Sequence, residues 1–180
     1  MKKLLYLTWL VLAVTFWIAS EGWPEAKPGT KSPIITSSFA VERGYYGYIW
    51  KIYIEAEDPD GDMLRIASVV DQVGYGRYPT NWTYLKTPYR SYLRGYLQWN
   101  TFSSRTSYLR EWTQITLKVS IFDKAGNESN VVVFPFTFEY GFDPYKYKLS
   151  APFSQADPRL GYIHIDLFEP TIMGNGGGRN

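Results

Sequence analysis

Between Gln114 and Ile121 the chain alternates without a break. Ile115, Leu117, Val119 and Ile121 are aliphatic, and Gln114, Thr116, Lys118 and Ser120 between them are polar. Successive side chains of a strand point to opposite sides, so a period of two marks a strand with one dry and one wet face. The same pattern runs from 48 to 57, where Tyr48, Trp50, Ile52, Ile54 and Ala56 share one side and Ile49, Lys51, Tyr53, Glu55 and Glu57 the other. From 131 to 138, Val132, Phe134, Phe136 and Phe138 share a face, and Pro135 on the opposite face, lacking an N–H, predicts an edge position. Weaker strands are expected at 34–41, 64–70 and 92–100. Beyond the first twenty residues no window has helical periodicity, so the expected class is all-β. Six or seven short strands whose dry faces all need cover form an antiparallel β-sandwich most simply, with a closed small barrel as the alternative.

The turns fit this reading. DPDGD at 58–62 and DKAGNESN at 123–130 are rich in the residues that close tight connections. Residues 1–20 stand apart: Lys2 and Lys3 precede an apolar run from Leu4 to Ala19 broken only by Thr8 and Thr15. That is the form of an export signal, and the run is nearly long enough to serve instead as an uncleaved membrane anchor through residues 4–20. Residues 21–32 read as a Pro/Gly/Lys linker, 33–140 as the sandwich, 141–173 as a C-terminal extension, and 174–180 as a Gly-rich tail. Within the extension, the alternating run from Tyr162 to Phe168 predicts an added strand or half of a hairpin.

Composition removes several functions. There is no cysteine, hence no disulfide framework, thiol nucleophile or thiolate metal site. The one histidine, His164, cannot build a multi-histidine metal centre, and its alternation with Tyr162 and Asp166 marks an exposed strand position. The formal charge is +2, but removing residues 1–20 takes away Lys2 and Lys3 and no acid, leaving 17 cationic side chains against 17 acids. A neutral domain offers no electrostatic footprint for nucleic acid.

The order of the motifs resembles bacterial cadherin-like repeats, a branch of the immunoglobulin-like sandwiches. The resemblance is carried by AEDPDGDMLRI at 56–66, GYLQWNTF at 95–102 and ITLKVSIFDKAGNESNVVVFPFTF at 115–138, so it spans about residues 33–140 in a single copy. It implies an immunoglobulin-like fold and a non-catalytic structural or interaction role outside the cytoplasm: in a periplasm, on a cell surface or secreted. A protein partner or self-association at the envelope is then the expected partnership.

Two groups of residues carry candidate chemistry. Asp58, Asp60 and Asp62 place carboxylates at alternate positions of one loop, which suits a weak Ca²⁺ site. The competing reading is a β-turn with Pro59 presetting φ and Gly61 at positive φ. No other cofactor is expected. Tyrosines and tryptophans crowd between 75 and 112, interleaved with arginines. Tyr78, Trp82, Tyr84, Tyr92, Arg94 and Tyr96 are the candidate binding residues, for a protein partner or for a polysaccharide stacked on exposed rings. The bland alternative is that the rings cover the sandwich itself. Segment 71–91, with little periodicity, is expected to be a binding loop.

Overall fold

The computed structural model describes residues 31–143 and 146–169. The export-signal reading of residues 1–20, most of the linker and the tail at 174–180 lie outside the described residues. Among the described residues ten strands form in chain order: β1 (Ile34–Phe39), β2 (Arg43–Gly44), β3 (Ile49–Glu57), β4 (Met63–Gln72), β5 (Gly76–Arg77), β6 (Asn81–Tyr84), β7 (Tyr92–Asn100), β8 (Gln114–Asp123), β9 (Val132–Phe138) and β10 (Arg159–Ile163). No α-helix forms among the described residues.

The strands build two sheets packed face to face. One has the order β1-β3-β7-β10, the other β2-β9-β8-β4-β5 with β6 also paired to β4. Taking β1, β3, β4, β7, β8 and β9 as strands A, B, C, E, F and G gives A-B-E against G-F-C, which is the immunoglobulin-like sandwich. β2 pairs parallel with the end of β9 at Thr137 and Phe138, so Pro135 has a neighbour only on the β8 side, where it sits opposite Thr116.

The alternation sets the core. Trp50, Ile52, Ile54 and Ala56 from β3 meet Leu93, Leu97 and Trp99 from β7, and across the sandwich stand Ile115, Leu117, Val119 and Ile121 of β8. Trp50 and Trp99 are cross-strand partners with ring centroids 6.0 Å apart, and Trp50 packs on Phe136 at 4.4 Å. Both indole N–H groups are satisfied: Trp50 donates to Val41 O at 2.8 Å and Trp99 to Ile165 O at 3.1 Å. Large rings with their one polar group bonded fill the interior of a domain that has no disulfide to hold it.

The far edge of the smaller sheet is unusual. In immunoglobulin domains a strand antiparallel to E lies there. Here β10, arriving from beyond β9, runs parallel to β7 with Tyr162 opposite Gln98 and Ile163 opposite Trp99. Two glycines permit the approach. A Cβ at Gly95 would stand 2.4 Å from Pro158 O, and one at Gly161 would stand 2.2 Å from Thr83 Cγ2. The alternation continues past the strand, with Ile163, Ile165 and Leu167 buried and Tyr162, His164 and Asp166 exposed.

Segment 71–91 is not a loop. β5 folds back on the end of β4, β6 pairs with its start, and a 3₁₀ turn at Thr87–Tyr89 leads into β7. These strands are only two and four residues long, too short to show a period.

Candidate functional site

The six ring-bearing and cationic candidates do not form one surface. Trp82 and Tyr84 belong to β6 and project from the larger sheet, whereas Tyr92, Arg94 and Tyr96 belong to β7 and project from the smaller one. Tyr78 projects from neither. It is 5% exposed, its hydroxyl donates to Gln72 Oε1, and it accepts from the Phe168 N–H at 2.9 Å. Burial pushes its phenol up to about 12. Tyr78 is therefore a packing residue that ties the C-terminal segment to the larger sheet, not a surface binder as the sequence reading had it.

On the smaller sheet the outward side chains are largely used by the chain itself. Segment 147–157 lies across them. The Phe153 ring packs on Tyr53 at 5.6 Å and leaves that tyrosine 6% exposed although its strand position is outward. Arg94 pairs with the buried Asp157 at 3.5 Å. Tyr96 has Tyr53 beside it at 5.4 Å and Lys51 Nζ 4.6 Å from its ring centre. Tyr92 remains half exposed, its hydroxyl donating to Glu55 Oε1, which raises its pKa above the ordinary tyrosine range. Tyr96 is thus engaged within the sheet by a neighbouring ring and a cation, and Tyr92 is the more open of the two.

The outer face of the larger sheet is different. No hydrogen bond or ring contact brings another described segment across it. Trp82 is held in place by the Arg65 guanidinium 4.0 Å from its ring centre and by Phe122 edge-on at 5.4 Å. Tyr84 beside it is 64% exposed, and Val131 and Val133 are exposed beyond β8. At the other end Asp71 accepts from Arg77 at 2.8 Å and from Lys118 at 3.0 Å, and these two cations hold its carboxyl down at about 2. Arg65, Phe122 and Val133 were not picked out from the sequence. Their outward places in strands β4, β8 and β9 were the available signal.

The acidic loop is a turn. Asp58 is buried, and its two oxygens accept from the N–H groups of Asp60 at 3.1 Å and Asp62 at 2.9 Å, with Gly61 at φ +71°. Asp60 points away and accepts from the Lys31 N–H at 2.5 Å. Asp62 has its pKa raised, first by burial and then by the charge of Asp123, which itself binds Asn127 through both oxygens. Among the described residues no group of three or more acids and histidines is placed to hold a metal ion. The Asp58 carboxylate at the centre of the loop is spent on backbone N–H groups, as in an Asx turn.

No protein-family model and no curated protein matches the chain. Among solved structures it is similar to the PKD domain of an M14-like peptidase from Thermoplasmatales archaeon SCGC AB-540-F20, at 15% identity and a TM-score of 0.40, over 61% of this chain and 98% of that one. The immunoglobulin-like assignment stands on the strand order itself.

Proposed function

We propose that the chain is an exported, non-catalytic immunoglobulin-like module that docks a protein partner, or a second copy of itself, at the cell envelope or surface. The observation that carries this reading is the pre-ordered Trp82 on a six-stranded face that no other described segment crosses, fixed by Arg65 and Phe122 with exposed Tyr84 beside it. Aromatic and arginine side chains that are already immobile lose little entropy on binding, which is why such groups dominate interface energetics. Export is supported by Lys2, Lys3 and the apolar run that follows.

The test is a photo-cross-linking amino acid placed at Tyr84 or, on the opposite face, at Tyr92, in cells making the full chain. A discrete adduct from position 84, absent from position 92 and lost on Trp82→Ala, is the expected result. Equal adducts from both positions, or none from either, would overturn the assignment of the partner face.

A further inference from the structure

The flank where β10 closes the two sheets together carries a second surface of different chemistry. Residues 162–168 form a rigid ridge. His164 donates its backbone N–H to Asn81 Oδ1 at 3.1 Å, Ser103 Oγ donates to Leu167 O at 2.6 Å, and Gln72 Nε2 donates to Phe168 O at 2.7 Å. A depression of about 420 Å³ lies on one side and one of about 490 Å³ on the other, both bounded by His164, Ile165 and Asp166. Each is of the size that holds small ligands.

Each depression is furnished with exposed rings backed from behind. On the first side Tyr75, 47% exposed, stacks on Tyr78 at 4.7 Å and on Phe168 at 4.9 Å with an interplanar angle of 9°. On the second side Phe102 is backed by Tyr46 at 4.9 Å, and Tyr162 has the Arg159 guanidinium 4.2 Å from its ring centre. Between the rings stand amides and single opposite charges: Asn81 and Arg105 in the first depression, Gln98 and Asn100 in the second, and Asp166 in both. Arg105 forms no ion pair among the described residues, and its guanidinium lies 5.8 Å from the centre of the Phe168 ring.

We infer that this groove binds a neutral oligosaccharide, with successive sugars on either side of the His164–Asp166 ridge. A pyranose has a flat C–H face, which fits the electron-rich face of a ring, and a rim of hydroxyls, which need donors and acceptors of the kind Gln98, Asn100, Arg105 and Asp166 supply. The mixed charge disfavours a polyanion. Among the described residues Asp166 is the one carboxylate lining either depression, which suits a groove that holds sugar better than one that cleaves it with a pair of acids. The site is separate from the face bearing Trp82 and Tyr84, and neither reading depends on the other.

The test uses the full chain with neutral hexasaccharides of cellulose, chitin, laminarin and mannan. The imidazole NMR signal of His164, the one histidine in the sequence, reports on the ridge. At least one hexasaccharide should shift that signal, and its disaccharide should bind more weakly. Tyr75→Ala and Phe102→Ala should each weaken binding about tenfold, while Tyr140→Ala should not change it. Near-ultraviolet circular dichroism from Trp50 and Trp99 verifies that the variants remain folded. Should no hexasaccharide move the His164 signal, or should folded Tyr75→Ala and Phe102→Ala variants both bind like the parent, the inference is wrong. Binding confined to a sulfated hexasaccharide and abolished by salt would overturn it equally. Loss of the Tyr84 adduct with sugar binding intact would defeat the partner proposal alone.

Discussion

The two outer faces of the sandwich start from similar sequences and end in opposite states. Both present aromatic rings at the alternate positions that the core does not claim: Tyr53 and Tyr96 on the smaller sheet, Trp82 and Phe122 on the larger. On the smaller sheet, segment 147–157 folds over the rings and Phe153 seals Tyr53. On the larger sheet the rings are steadied by Arg65 and by each other within the same sheet, and no other described segment covers them. An outward aromatic is therefore not yet a functional aromatic. Whether the chain supplies its own cover decides which face is available to others.

The comparison can be broken most severely by Phe153→Ala. If the cover on the smaller sheet behaves as core, the loss should approach about 3 kcal/mol in urea unfolding; a change near zero would mean that segment 147–157 only rests on the surface. Next in size is Gly161→Ala. Its new Cβ would meet Thr83 Cγ2, and overpacking of this kind costs about 1–3 kcal/mol. Thr83→Ser removes that methyl group and should restore part of the loss.

The pH limits should also separate the two regions. Asp71, on the bare face, is held at about 2 against an ordinary 3.8. A depressed acid contributes stability above its unfolded value and loses it as pH falls through the folded one, so this contribution fades between pH 3.8 and about 2. Tyr78, under the closed flank, is raised from 10.0 to about 12. Its contribution is complete below pH 10 and is lost as pH rises toward 12. Asp71→Asn should flatten the acid limb of a stability profile and Tyr78→Phe the alkaline limb; the reverse assignment would refute the scheme. The smallest effect is expected from Tyr84→Ala. On an uncovered face it should change stability by no more than about 0.5 kcal/mol, whatever it does to partner binding.

Much of the sandwich was legible because period-two patterning reports which side of a strand is dry. The strand expected at 92–100 forms over Tyr92–Asn100, and the inward set at 115–121 is the inward set of β8. The turn at 58–62 was also readable, since Asp58 and Gly61 are the residue types that such a turn needs. The candidate site was less so. Tyr53 and Tyr78 carry the same chemistry as Tyr84, and what distinguishes them is later chain, Phe153 over the first and Phe168 against the second, each ninety or more residues away. Gly95 and Gly161 were equally silent, because their meaning lies in Pro158 and Thr83, the groups that they let come close. Local patterns report on the nearest neighbours of a strand, not on what later folds over it.

The parallel docking of β10 also orders events in time. β7 offers its outer edge as soon as the central strands have formed, but the strand that covers it begins at Arg159, some sixty residues later. During synthesis, and again during any passage through a membrane, the smaller sheet has an unpaired edge of the kind that adds strands from other chains. Gly95 lies in the middle of that edge, where a bare backbone invites close approach. The late strand is in this sense a guard, and the interval before it arrives is when the chain is most exposed to mispairing with its neighbours.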